Sequence, residues 1–160
     1  MYNICNWLQH SKFLMFFLSW PPLAVALEVM HYIGIFIMVG SIVLVDLRVL
    51  GIAAHKRKLG EFAAQLFPYA WFGLAMIVVS GFLMFTSQAA DYYNDPTFHK
   101  KMIVMLLALV AAVFIRIGAP KWESAGAIPL TGKVVALVCM VLMFETIIYG
   151  NLVPAISGIG

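Results

Sequence analysis

The chain has 160 residues, 64% of them hydrophobic and only 11% charged, and carries a formal net charge of +3. Soluble domains hold about 25% charged and about 45–50% apolar residues, so a soluble globular domain, a disordered chain and a nucleic-acid binder are excluded. One integral membrane domain with about four spans fits this length and a mean hydropathy of +0.99.

Residues 1–20 come first. Asn3, Asn6, Gln9, His10 and Lys12 give a polar side to a stretch ending in the dense apolar run Phe13–Leu18, which is too short to cross a bilayer. Trp7 and Trp20 suit a headgroup boundary, and Pro21-Pro22 breaks the helix. The expectation is an amphipathic interfacial helix that turns into the first span. A signal peptide is the rival reading, because Ala24-Val25-Ala26 resembles a cleavage site. The barely positive start, and a cut that would fall inside span one, disfavour it.

Four apolar segments follow, at about 22–45, 66–86, 96–117 and 132–153. Asp95-Pro96 reads as an N-cap followed by Pro at the first helical position, and Gly118 and Pro120 read as the end of that span. The fold class expected is an all-α membrane protein, a four-helix bundle behind an interfacial helix. Seven Lys and Arg residues (48, 56, 57, 58, 116, 121 and 133) fall on one side and three (12, 100 and 101) on the other. The richer side is expected in the cytoplasm, with both termini on the outer, periplasmic side.

Charged groups inside spans cost about 2.5–3.5 kcal/mol on insertion scales, so Glu28, His31 and Glu145 need an explanation. Counting rise per residue puts His31 and Glu145 at matching depths of about 12–13 Å, with Glu28 one turn shallower. They would meet if the first and last spans touch, with Lys101 reaching toward them and Tyr32 and Thr146 nearby. One reading is a satisfied polar knot that fixes packing. The other is a ligand, proton or metal site open to the outer face, with His31 as ligand and Glu28 and Glu145 as further metal-binding or charge-balancing groups.

Haem b needs two axial ligands at one level. His31 and His99 are the available histidine pair, offset by about 8 Å; a His–Met pair with Met30, Met102 or Met105 is the variant. Copper would suit Met102/Met105 and Met140/Met143, although ten methionines in a bundle also serve as core filler. On the cytoplasmic side, Asp46, Arg48 and Arg116 are expected to form an ion-pair cluster. The basic run His55–Lys58 sets topology and touches anionic lipid rather than a specific partner. Ser41, Ser80, Gly34, Gly40, Gly73 and Gly81 read as close-packing positions. No P-loop, Gly-x-Ser-x-Gly or His-Glu-x-x-His motif occurs, so an enzyme with its own active site is not expected.

Several of these residues recur as a pattern: Asn6-Trp7-Leu8, Trp20-Pro21, His31-Tyr-Ile-Gly34, Asp46-Leu-Arg48-Val-Leu-Gly51, Ser80-Gly-Phe-Leu-Met-Phe85 and Asn94-Asp-Pro-Thr-Phe98 with Lys101. The pattern resembles an uncharacterised family of small bacterial inner-membrane proteins, over about the first three-quarters of the chain. That family is distantly similar to the membrane domain of copper-resistance CopD proteins. The similarity implies His31 and Lys101 as positions of interest and names no substrate. Function is therefore expected to be that of a binding or accessory protein whose outer-side pocket holds a metal or haem or relays protons. The alternatives are a structural subunit of a larger membrane or periplasmic assembly, and a small copper or ion transporter.

Overall fold

The computed structural model describes residues 20–157; the expected interfacial helix lies outside them, apart from Trp20. The described residues form α1 (Pro21–Val49), α2 (Leu59–Ser87), the short α3 (Ala89–Asn94), α4 (Pro96–Ser124) and α5 (Leu130–Ser157), with no strand. All four long helices are long and apolar enough to cross a membrane. At 29 residues each, α1, α2 and α4 run for about 43 Å, longer than a hydrocarbon core of about 30 Å.

Connectivity makes two antiparallel hairpins, α1–α2 and α4–α5. They join through α2 against α4 and α1 against α5, which closes the ring. One end of the bundle carries α3; the other carries the basic 50–58 loop. Backbones approach closely inside the first hairpin. A Cβ on Gly73 would lie 2.7 Å from both the Gly34 carbonyl oxygen and the Met38 nitrogen. The second hairpin packs through Ala108, Ala112, Ala119, Ala136 and Cys139, all buried. Small residues at such interfaces replace the hydrophobic drive that lipid does not supply. Gly40 takes no part in this packing: nothing lies within 4 Å of where its Cβ would be.

The outside of the bundle is apolar. Phe36 is 76% exposed and Leu106 62%. In water these side chains would form an aggregating surface; against acyl chains they meet a solvent of their own kind.

Helices α1, α2 and α4 differ from their expected spans mainly at the basic end, whereas α5 runs on past its expected end to Ser157. Hydropathy marks where lipid contact stops, whereas backbone bonding continues into the headgroup zone. Thus α1 runs on to Val49 with Arg48 in its last turn, and α2 starts at Leu59 with Glu61 in its first. Both charges suit the helix dipole. Gly51, at φ +77°, then ends α1. Ile52 N–H donates to the Leu47 carbonyl at 2.9 Å and Gly51 N–H to that of Arg48 at 3.2 Å, the paired bonds of a left-handed glycine cap.

Gly118 and Pro120 do not end α4, which continues to Ser124. Gly118 is instead the seat of the Trp122 indole, which occupies the space any side chain there would need. The stop falls at Gly126, whose φ is +70° and whose N–H donates to the Glu123 carbonyl at 3.0 Å.

At the opposite end the expected cap is present: the Asp95 carboxylate accepts the Thr97 N–H at 2.9 Å, with Pro96 at the first helical position. The unforeseen α3 is pinned by rings. Tyr92 lies 5.7 Å from Phe85 and 5.0 Å from Phe98 between centroids. Burial, then the charge of Asp95, pushes the Tyr92 phenol up from its ordinary value.

Candidate functional site

Half-buried His31 leaves α1 toward α2, and α2 answers with Ser80-Gly81. A Cβ on Gly81 would stand 3.0 Å from the imidazole Cε1, so glycine makes the room the ring occupies. The Ser80 hydroxyl lies 2.9 Å from His31 Nδ1 and 2.6 Å from the Met76 carbonyl oxygen. Two oxygens that close require the hydroxyl proton between them. Ser80 therefore donates to Met76, and its oxygen accepts from the Nδ1–H of His31. With Nδ1 carrying the proton, the neutral ring has its lone pair on Nε2, and the Ile77 backbone also interacts with the ring.

Lys101 enters from α4, half-buried, with its ammonium against Gly150 of α5. A Cβ at Gly150 would lie 3.4 Å from Nζ. Its charge is near enough to act on His31. No hydrogen bond or ion pair engages that ammonium among the described residues. His31 with Ser80-Gly81, and Lys101 with Gly150, thus form two contacts that draw on all four long helices, linked by the field of the Lys101 charge.

Residues 23–154 match DUF6644, a family of unknown function. The chain belongs to that family. No curated protein and no solved structure matches it.

The remaining candidates of this DUF6644 chain do not join these contacts. Glu28 and Glu145 are both exposed. No ion pair links either to His31 or Lys101 among the described residues, and no group of three His, Cys, Asp or Glu side chains converges there. Rotation about the helix axis is the reason for Glu145. On α5 the inward stripe runs through Ala136, Cys139 and Met143, and Glu145, two residues on, points roughly the opposite way. Glu28 lies only about 60° from His31 round α1, one turn away on the same face, but its side chain is exposed. His99 is also exposed, near the start of α4, with its ring edge-on to Tyr93 at 6.4 Å. The His31–Glu28–Glu145 metal set is therefore not assembled, and the His31–His99 pair is not brought into one pocket.

At the basic end, Asp46, Arg48 and Arg116 do not cluster as ions either. Arg48 donates Nε–H and Nη2–H to the Arg57 carbonyl at 3.1 and 2.8 Å. Arg116 places its guanidinium carbon 5.8 Å from the centre of the Phe67 ring. Asp46 is 0% exposed, and neither carboxylate oxygen has a hydrogen-bond partner. It lies against the Cys139 thiol of α5, which in turn donates to the Ala108 carbonyl at 3.6 Å. Asp46 follows the buried Val45 and Ile42 inward, whereas Arg48 reaches the loop.

Two partners escaped sequence reasoning: Ser80 as the group that orients His31, and Cys139 as the neighbour of Asp46. The first had a signal. Ser80-Gly81 is a polar-and-small pair inside an apolar run, at nearly the depth of His31 when counted from the same end.

Proposed function

We propose that this DUF6644 protein is an integral membrane binding or accessory protein whose pocket between His31 and Lys101 takes the acidic group of a small ligand. The anion is held at the Lys101 ammonium, and His31 Nε2 accepts the proton. The observation that carries this reading is the Ser80 hydrogen bond, which leaves the lone pair on Nε2 of a ring that feels the charge of an ammonium with no ion pair among the described residues. The positive-inside asymmetry supports an orientation with the α3 end on the outer side of a bacterial inner membrane and the 50–58 loop in the cytoplasm.

The donors present fit copper or haem less well. Around His31 they are one imidazole, one hydroxyl already donating, and one ammonium that repels a further cation. Bis-histidine haem would need a second imidazole, and His99 is turned to Tyr93.

Two measurements on detergent-purified protein test this. Thermal unfolding with benzoate, against benzamide as the uncharged control, is expected to show protection by benzoate alone, lost in Lys101→Met. A visible spectrum with elemental analysis of wild type beside His31→Ala is the counter-test. Pigment or stoichiometric metal that disappears in His31→Ala overturns the acid-binding reading in favour of a cofactor. Equal protection of wild type and Lys101→Met by benzoate also overturns it.

A further inference from the structure

A second polar site lies at the opposite end of the bundle. A cleft of about 380 Å³ opens where α1 ends, α2 begins and α4 ends, and Arg48, Lys56, Arg57, Lys58, Trp122 and Glu123 are among the residues lining it. Four cationic side chains thus face one carboxylate. That carboxylate is already engaged: Glu123 Oε2 accepts the Gly60 N–H at 2.8 Å, at the start of α2. Lys58 meets Glu61 at 3.4 Å, but both are about 70% exposed, so that pair is weak.

The other cations are positioned and under-used. Arg48 is fixed by its two bonds to the Arg57 carbonyl, which leaves its Nη1 donors free. Arg57 gives only Nη1, to Gln65 at 3.1 Å. Lys56 has no ion pair or hydrogen bond among the described residues. Two partly free guanidinium forks with a nearby ammonium match the geometry of a phosphate group.

The surroundings say which phosphate. The cleft sits at the ends of membrane-length helices, at headgroup depth. The Trp122 indole forms part of its wall, as aromatic rings do at that boundary. Ile128 also lines it, and Leu130, two residues on and 75% exposed, begins the apolar outer surface of α5. An acyl chain can therefore continue from the cleft along the bundle, which a free phosphate has no use for. We infer that this cleft binds the phosphate headgroup of an anionic phospholipid in the leaflet that faces the 50–58 loop. The site is independent of the His31 pocket.

The test uses the full chain in bilayer nanodiscs and in detergent. Phosphatidylglycerol is titrated against phosphatidylcholine, with bound lipid read by native mass spectrometry and stability by thermal unfolding. Inorganic phosphate forms a third arm. Wild type is expected to retain phosphatidylglycerol in preference to phosphatidylcholine. The double variant Lys56→Gln/Arg57→Gln is expected to lose about tenfold in that affinity, while Lys121→Gln, exposed outside the cleft, keeps it. Should the double variant fold poorly in phosphatidylcholine, Lys56→Gln alone gives the same comparison with a smaller loss. Equal retention of both lipids, or equal affinity in wild type and the Lys56 variants, overturns the proposal. Protection by inorganic phosphate as strong as that by phosphatidylglycerol overturns the lipid assignment.

Discussion

His31 and Asp46 share one helix, fifteen residues apart in sequence, and meet opposite fates. His31 is half-buried and has its ring nitrogen on Ser80 of the neighbouring helix. Asp46 is fully buried, and no hydrogen bond reaches either oxygen. The difference lies in what the facing helix offers. At Ser80-Gly81, α2 supplies an acceptor and the space beside it. Around Asp46 the neighbours are the apolar side chains of the core, and the polar exception is a thiol, a weak donor already turned to Ala108. A polar group within the bundle is therefore satisfied or stranded according to one or two residues on the helix opposite. His31 has a partner and a seat on the facing helix; Asp46 is a local cost that the rest of the fold carries.

The largest effect is expected from breaking the helix crossing that serves His31. Gly73→Ala drives a methyl group against the backbone of Gly34 and Met38. Those atoms yield only if α1 and α2 separate, so stability should fall by about 1–3 kcal/mol, the usual range for overpacking. The same separation should remove the His31–Ser80 bond, visible as a change in the imidazole nitrogen chemical shifts. Gly40→Ala, in open space, is the control. Thermal unfolding in detergent checks both, and an unchanged Gly73→Ala would mean that the close approach does not hold the pocket.

At the other end the expected sign reverses. Asp46→Val removes two unpartnered oxygens while roughly keeping volume, so stability should rise by about 1 kcal/mol or more, as it often does when poorly satisfied buried polar groups become apolar. A loss of similar size in the same melt would show that Asp46 is engaged by a partner within the membrane.

Much of this contrast was legible in the sequence, and the limit has a physical form. Apolar run length gives the number of spans, because bilayer thickness is fixed and helical rise is constant. Depth is legible by the same count, which is why His31 was recognised as an intramembrane group needing a partner. Rotation about the axis was not legible. Glu145 sits at a depth matching that of His31 yet faces outward, because the stripe Ala136–Cys139–Met143 defines the inner face of α5. That stripe is hard to see in a helix that is apolar on every side, where lipid-facing and core-facing residues share one chemistry. Helix ends are hard to read from the sequence for a related reason. Gly118 and Pro120 look like terminators, but one seats the Trp122 indole and the other is tolerated inside the helix. Ser80 reads as a close-packing position in the sequence because serine packs closely and also accepts hydrogen bonds, and only the facing residue decides which use prevails.

A smaller effect follows from cutting the bond that sets His31 apart. Ser80→Ala removes the Nδ1 acceptor and leaves the crossing intact. Hydrogen bonds between membrane helices average about 0.6 kcal/mol, so a loss of about that size is expected. Ser80→Thr, which keeps the hydroxyl, should restore part of it. Nuclear magnetic resonance of the imidazole nitrogens gives the sharper readout, since the ring loses its preference for the Nδ1–H form. A tautomer ratio unchanged in Ser80→Ala would show that something other than Ser80 fixes the proton.

The smallest effect is expected where the sequence alone pointed to the largest. Glu145 is exposed and makes no ion pair with His31 among the described residues, so Glu145→Gln should leave stability within about 0.5 kcal/mol of wild type. The decisive comparison is a double-mutant cycle with His31→Ala. Separate sites add, so the double variant should equal the sum of the singles within about 0.5 kcal/mol. A larger coupling would mean that α5 rotates in the bilayer to bring its carboxylate to the pocket. His31 would then have a counter-ion as well as a hydrogen-bond partner, and its contrast with Asp46 would be one of charge neutralisation rather than of the facing residue.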